Sequence, residues 1–528
     1  MFSRSHSESR KRAHWWLLAV VAALTALAII FIWVSEASHR QERVMQTALA
    51  VFVSFTLTLI WLLFFSRLRW KIRLISFAAI VLVLFGATKL FRFKGFSGDL
   101  VPSWEWRWKK SPSETVSPTP SVDLNEIGST VESSLIEDYP QFLGPNRNAI
   151  LSGIRLARDW SKRPPRLIWR QPIGAGWSGF AVFGESAVTQ EQHGEQETVV
   201  CYELKTGKVK WRHEDRTKYE TVPAGVGPRA TPTIVKDRVY SLGGTGILNC
   251  LNLASGRQIW SKDIVTDKEV PNWGMSGSPL VFDNLVVVSA GRMNGGSLVA
   301  FNRHTGDDVW SAGDDPAGYS SPLLTTLAGV RQIVIFNYGS VSAHQPATGK
   351  ILWQHAWPKS TECVAQPVPL PGNRVFVSSG YGIGCKLFQI HQDERGNPGE
   401  IEDLSSLRVS LVWETPRLKA KFTNVVFRDG YIYGLDDGVL VCLDVVNGQR
   451  TWKRGRYGHG QVMLVGGLLL VQTESGDVVL VEANPNTHHE LTRFSALNGK
   501  TWNSPALAGS YLLVRNDREA ACYELPSD

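Results

Sequence analysis

Arg229, Lys419 and Lys421 carry fixed positive charge, His459 can gain it, and Glu362 is the one carboxylate in the short segments where they occur. Trp273, Tyr319 and Trp502 lie in equivalent segments, as does Trp177. Cations set among flat aromatic faces draw in anions and stack planar groups. Arg229, Trp273, Tyr319, Glu362, Lys419, Lys421, His459 and Trp502 are therefore the candidate ligand site. They would suit a planar polycarboxylate, an acidic peptide or a polysaccharide. The other reading of the same residues is a filled channel with a solvated rim.

No familiar catalytic template accompanies them. The chain has no Gly-x-Ser-x-Gly elbow, no Gly-x4-Gly-Lys-Ser/Thr loop and no His-Glu-x-x-His. Gly243–Gly246 and Gly455–Gly460 precede no helical pattern and read as turns. His488 and His489 adjoin but lack a third ligand, and no Cys-x-x-Cys spacing occurs, so no metal site is expected. Cys201, Cys250, Cys442 and Cys522 read as small buried apolar residues in separate units. Cys363 and Cys385 fall within one unit, and their pairing is left open.

What must position these residues is a repeat. A small residue, five others, Gly, three others and Trp recur as Cys201–Gly207–Trp211, Cys250–Gly256–Trp260, Ala300–Gly306–Trp310, Ala343–Gly349–Trp353 and Cys442–Gly448–Trp452. Alternating apolar runs such as Thr233–Tyr240, separated by Gly or Asp turns, precede each one and read as antiparallel hairpins. Trp169, Trp211, Trp260, Trp310, Trp353, Trp413 and Trp452 mark outer strands, with Phe494 as a degenerate eighth, at spacings of 39 to 60 residues. The longest spacing contains an insertion, 393–407. Four strands at such a period are propeller blades. Trp502–Leu525 lacks an outer strand and Arg166–Gln171 lacks inner ones. Pairing them closes an eighth blade and removes an open edge. The expected fold is all-β, an eight-bladed β-propeller over 139–528. The candidate residues then fall in segments preceding the innermost strands: 177–180, 228–230, 272–278, 319–321, 361–366, 419–424, 459–461 and 502–504.

The net charge of +8 is unevenly held: residues 1–110 carry 16 Lys/Arg against 5 Asp/Glu, and the rest carry 40 against 43. A nucleic-acid binder needs positive charge on its folded domain, so nucleic acid is set aside. The basic residues instead flank three apolar runs, 15–34, 47–65 and 74–90, each long enough for a membrane helix. Residues 1–94 are thus a three-span anchor and 95–138 a Ser/Pro-rich linker. Arg4, Arg10, Lys11 and Arg12 before the first run, and Arg67, Arg69, Lys71 and Arg73 after the second, set those two regions in the cytoplasm and the propeller outside. Lys89, Arg92 and Lys94 run against that assignment. Trp104, Trp106 and Trp108 alternate with charged residues, as either a membrane-surface stretch or an edge strand.

The recurring motif resembles the tryptophan-docking motif of the pyrroloquinoline-quinone (PQQ) type propellers. Tyr139–Gly144, Gly225–Pro232, Val270–Pro279, Gly318–Pro322 and Val377–Cys385 resemble segments of bacterial PQQ-like repeat proteins. The resemblance spans roughly 139–525 and implies the fold; the repeat serves enzymes and scaffolds alike. It implies an inner-membrane, multi-pass bacterial protein with its propeller in the periplasm. One expectation is a non-catalytic scaffold with protein partners in the cell envelope or an anionic ligand. The family's outer-membrane-assembly scaffolds are lipid-anchored, whereas this chain has no Cys before Cys201 and carries apolar runs instead. The alternative is a membrane quinoprotein dehydrogenase oxidising alcohols or sugars, with PQQ as cofactor. Such enzymes use calcium, a catalytic Asp and usually two adjacent cysteines; no two cysteines adjoin here.

Overall fold

Trp15–Val34 contains no charged residue, and in hydrocarbon only a helix satisfies every backbone group of such a run from within itself. The computed structural model describes residues 15–35, 39–108, 138–221, 225–265, 270–292, 295–359, 362–392 and 407–528. The chain divides into two units, Met1–Ser111 and Pro112–Asp528.

The first unit contains three helices apolar and long enough to cross a membrane: α1 (Trp15–Val34), α2 (Arg40–Ile60) and α3 (Trp70–Leu90). A π-helical turn, Trp61–Phe65, continues α2. The second and third helices begin earlier than the apolar runs at 47 and 74, because their charged first turns are good helix formers that extend beyond the apolar stretch. Arg4, Arg10, Lys11 and Arg12 lie outside the described residues. The expected linker needs correction. Immediately after α3 the chain forms an antiparallel hairpin, β1 (Phe91–Phe96) with β2 (Pro102–Trp106). The alternation of aromatic and charged residues at 91–94 and 104–107 is strand periodicity, in keeping with the edge-strand reading of Trp104 and Trp106. Residues 109–137 of that linker lie outside the described residues. At the hairpin turn the buried Asp99 accepts a hydrogen bond from Arg40 Nε at 2.7 Å, tying the turn to the first residue of α2.

The described residues of the second unit form seven four-stranded sheets and one five-stranded sheet, apart from a two-residue ladder between 220–221 and 225–226. In chain order the sheets span 181–215, 233–263, 280–312, 323–356, 368–415, 426–456, 461–495 and 506–524. The last contributes three strands, and its fourth is Arg166–Pro172, paired antiparallel to Glu519–Glu524. The seventh gains a short parallel strand, Ile150–Leu151. Of the expected insertion at 393–407, residues 393–406 lie outside the described residues, and Leu407 opens the strand Leu407–Thr415.

Register explains the repeat. Cys201 pairs with Trp211, Cys250 with Trp260, Ala300 with Trp310, Ala343 with Trp353, Cys442 with Trp452 and Cys522 with Trp169. A directly opposed pair brings Cβ atoms to about 5 Å, so a small residue leaves room for the indole. Four of these indoles then lie on the turn glycine of the following sheet: a Cβ on Gly207, Gly256, Gly306 or Gly349 would come within 3 Å of Trp169, Trp211, Trp260 or Trp310. The indole Nε1 of Trp169, Trp211, Trp260 and Trp310 donates to Leu204, Leu253, Arg303 and Pro346 carbonyls in that next sheet. Trp413 and Trp452 do the same with Val445 and Asn484. Trp353 differs, donating to Gln332 in its own sheet.

Residues before the innermost strands link sheet to sheet. Gly179 N donates to Thr231 Oγ1 (3.1 Å), Thr231 N to Ser278 Oγ (2.9 Å), and Ser278 N to Ser321 Oγ (2.9 Å). Ser321 N then donates to Gln366 Oε1 (3.1 Å), and Gln366 N to Asn424 Oδ1 (3.0 Å). Asn424 Nδ2 reaches Gln461 Oε1 (3.5 Å), Gln461 Nε2 reaches Trp502 O (2.9 Å), and Asn503 Nδ2 returns to Ser178 O (2.8 Å). The circuit ends beside its start.

The leading segment crosses these inner strands. Tyr139 exchanges backbone hydrogen bonds with Val182, Pro140 accepts from Ile234 N, and Ala149 accepts from Leu464 N. Between them the buried Arg147 donates to the carbonyls of Ser278 (2.9 Å) and Pro279 (3.0 Å) and to Gln141 Oε1 (3.1 Å). Burial without a carboxylate partner brings its pKa down to about 9.

Candidate functional site

The loops that enter the innermost strands bring two aromatic groups to one end of the sheet assembly. In the first, Trp273 stacks on Tyr319 at 5.0 Å and 25°, and Tyr381 lies 6.2 Å from Trp273. The Tyr319 hydroxyl accepts from Trp273 N at 3.2 Å and donates to Glu362. Arg229 sits over the Tyr219 ring at 5.0 Å and Lys421 over the Tyr381 ring at 5.0 Å. In the second, Trp502 lies 4.8 Å from Trp177 and 4.9 Å from Phe422, which in turn is 5.2 Å from His459. Lys500 Nζ caps both indoles, 4.1 Å from Trp502 and 4.9 Å from Trp177. Lys421 and Phe422 adjoin in sequence and connect the two groups.

Seven of the eight sequence-predicted residues, Arg229, Trp273, Tyr319, Glu362, Lys421, His459 and Trp502, take part in this arrangement. Lys419 does not. Its ammonium pairs with the buried Asp436 at 2.6 Å and with Asp437 at 3.6 Å, and Lys453 also pairs with Asp436. Lys421, two residues on in the same segment, is the lysine that reaches the aromatic group, over Tyr381. Residue 361, at the start of one expected segment, lies outside the described residues.

The charge balance also needs correction, because Glu362 has company. Glu474 accepts from Trp502 Nε1 (2.9 Å) and from His459 N (3.1 Å). Glu197 accepts from Gly244 N at 3.0 Å and faces Arg229. Burial pushes the Glu197 carboxyl up to about 7, against the opposing Gly244 hydrogen bond, and raises that of Glu362. Burial likewise draws Arg229 down to about 10 and lowers Lys500. Arg229, Lys421 and Lys500 thus face three carboxyl groups. The mouth is mixed in charge and predominantly aromatic, which weakens the preference for a polyanion.

Tyr219, Tyr381, Phe422, Glu474 and Lys500 belong to the site and were missed from sequence. Lys500 stands two residues before 502–504 and Tyr219 nine before 228–230, and Tyr381 and Glu474 come from the loops after second strands. A usable signal for Tyr381 existed, since it stands between Gly380 and Gly382. The backbone there holds Tyr381 at φ 59°, a left-handed conformation that an aromatic residue rarely adopts.

The resemblance implies a calcium-held quinone for the enzymes of the family, and the residues present do not fit it. Calcium takes six to eight oxygen ligands, several of them carboxylates. Glu362, Glu474 and Glu197 stand on different sheets, each engaged by a donor, and among the described residues no three His, Cys, Asp or Glu side chains gather. All six cysteines are buried and none is in a disulfide, with Cys363 and Cys385 in separate core clusters. His488 hydrogen-bonds Tyr457 and His489 pairs with Glu482.

Comparison with known proteins gives the following. A family model described as "Outer membrane protein assembly factor BamB" matches residues 195–454. The outer membrane protein assembly factor BamB of Burkholderia pseudomallei (strain K96243) is 24% identical over 364 residues, covering 66% of this chain and 84% of that protein. Among solved structures, BamB from Moraxella catarrhalis is 14% identical with a TM-score of 0.49, covering 68% of this chain and 98% of its own. A quinohemoprotein alcohol dehydrogenase from Comamonas testosteroni is 13% identical with a TM-score of 0.47, covering 73% and 80%.

Proposed function

We propose that this chain, a member of the PQQ-like β-propeller repeat family, is a membrane-anchored binding module that performs no redox chemistry and holds a polypeptide segment at its aromatic mouth. The observation that carries this is the clustering of Trp273, Tyr319, Tyr381, Arg229 and Tyr219 beside Trp177, Trp502 and Phe422. Trp, Tyr and Arg dominate the energetic centres of protein interfaces, because they bury large rigid area while keeping a polar handle. The balanced charges favour a polypeptide with mixed side chains over a small polyanion. The similarity to an outer membrane protein assembly factor supports protein partners in the cell envelope.

The hydrogen-bonded circuit from Gly179 to Asn503 and the outer strand Arg166–Pro172 support eight blades in one closed ring. Arg67 and Arg69 between the π-helical turn and α3, with Lys71 and Arg73 in the first turn of α3, against Arg40 and Arg43 in the first turn of α2, favour that second connection as cytoplasmic. With three crossings the propeller lies outside the cytoplasm, in the periplasm of a bacterial inner membrane. The Arg40–Asp99 pair supports the third crossing, since it joins the first connection to the chain beyond α3. This offsets the contrary charges Lys89, Arg92 and Lys94.

The quinoprotein alternative has one observation in its favour: stacked indole and phenol faces beside Lys421 could receive a planar tricarboxylate.

Photocrosslinking tests the proposal. A benzoylphenylalanine at position 381 of the full-length chain in native membranes should give discrete protein adducts that Trp273→Ala abolishes. The same group at position 446, an exposed turn remote from the mouth, should give none of those adducts. Identical adducts from both positions, or none from 381, would overturn the reading.

A further inference from the structure

The hairpin that follows α3 keeps large aromatic side chains in the open. Trp104 is 57% exposed, Trp106 45%, Phe93 44% and Phe91 38%. These rings are not scattered. Phe91 faces Trp106 across the ladder with centroids 5.2 Å apart, and Phe93 faces Trp104 at 5.1 Å. Side chains two apart on a strand share a face, so the four rings make one aromatic surface. A bulge between Phe93 and Gly95, with Gly95 at φ 105°, puts Phe96 on the same face, 5.0 Å from Phe93. Ser103 and Glu105 alternate onto the other face. Trp108 continues the aromatic edge 5.3 Å from Trp106.

A two-stranded hairpin is marginal in water on its own, and this one has an exposed apolar face. Two observations say what covers it. Phe91 follows Leu90 with no residue between, so the hairpin starts where the apolar helix α3 ends. Its turn is also tied down, because Asp99 pairs with Arg40 at the start of α2, holding the hairpin against the ends of two candidate spans. At that level the surrounding medium is the headgroup layer, where indole and phenyl rings are favoured. Arg92 and Arg107 are exposed at the hairpin's helix-proximal end, where lipid phosphates would lie.

We infer that the hairpin Phe91–Trp106 is a lipid-binding element, lying with its aromatic face in the headgroup layer of the leaflet from which α3 emerges, with Arg92 and Arg107 against lipid phosphate. The inference rests on α1, α2 and α3 being membrane spans. It gives the anchor a fixed collar at the point where the chain leaves the bilayer.

The test is depth measurement by spin labelling of the full-length chain in vesicles of phosphatidylcholine and phosphatidylglycerol. Single nitroxides are placed at Trp104→Cys, Ser103→Cys and Leu82→Cys, and collisions with oxygen and a water-soluble nickel chelate are compared. The label at 82, in the middle of α3, should be deep in hydrocarbon. The label at 104 should lie about 15–20 Å from the bilayer centre, at the headgroup level. The label at 103 should be several-fold more accessible to nickel than that at 104. If 104 matches 103 while 82 is deep, the hairpin stands in water and the inference fails with the spans intact. If 104 is shielded from both reagents, protein covers the face, and the inference again fails. If 82 is itself accessible to nickel, the span reading fails first. Trp106→Cys, on the same face, should report the depth of 104, and a disagreement between them would also overturn the inference.

Discussion

Asn503 Nδ2 donates to the carbonyl of Ser178 at 2.8 Å, joining positions 325 residues apart. The same amide reaches Gly176 O at 3.3 Å. Close by, the fully buried Arg515 donates to Thr189 Oγ1 (2.7 Å) and to the carbonyls of Gln190 (2.8 Å) and Gly174 (3.1 Å). The junction of the last sheet with the first is therefore fastened by side chains as well as by the shared outer strand.

Asn503→Ala should destabilise the protein by about 1–3 kcal/mol, because it leaves buried carbonyls without a donor. Denaturant unfolding of the full chain in detergent reads this as a lower midpoint. A loss below about 0.5 kcal/mol would mean that the sheet assembly does not depend on this contact.

Glycine substitution separates backbone strain from indole packing. Gly184 and Gly207 both have left-handed φ, 55° and 69°, but a Cβ on Gly184 meets nothing within 4 Å, whereas one on Gly207 meets the Trp169 ring at 2.7 Å. Gly184→Ala should cost about 1–2 kcal/mol from strain alone. Gly207→Ala should cost about 1–3 kcal/mol more, from displaced packing. Equal losses would show that the indole yields freely.

Glu197 gives a pH signature. Its folded-state pKa is raised from 4.5 to about 7, so the folded protein holds the proton more tightly than the unfolded chain. That contribution to stability is fully present below about pH 4.5 and is lost as pH rises through 7. Glu197→Gln, which cannot ionise, should therefore stabilise the protein relative to the parent at pH 8 and lose that advantage at pH 4.5. The readout is the difference in unfolding midpoint between the two proteins across that range. A difference independent of pH would remove Glu197 as the titrating group.

Legibility from sequence followed how local each relationship is. Cys201 and Trp211 face each other across one hairpin, so their spacing is written in eleven consecutive residues and repeats along the chain. Arg166–Pro172 was assignable to the last sheet because an outer strand without inner partners needs one. Lys419 misled because Asp436, which holds it, comes from another loop and strand. The circuit of Thr231, Ser278, Ser321, Gln366, Asn424, Gln461 and Asn503 uses four residue types for one task, so no repeat announces it. Its trace is positional: Thr231, Ser278, Ser321 and Gln366 each stand directly before a proline, and Asn503 two residues before one. Glu474 and Lys500 enter the mouth through contacts with Trp502, which only the assembled sheets create. The Phe91–Trp106 hairpin was legible as alternation but hidden by its position between a helix and a Ser/Pro-rich run.

The central claim, binding at the mouth without redox chemistry, is tested most directly by titrating the detergent-solubilised full chain with pyrroloquinoline quinone. The titration is run with and without calcium, followed by dye reduction with alcohols and sugars as substrates. The account predicts no calcium-dependent quinone complex and no dye reduction above the protein-free rate. Submicromolar, calcium-dependent binding with turnover would contradict it and make the ring of Trp273, Tyr319 and Trp502 an active site.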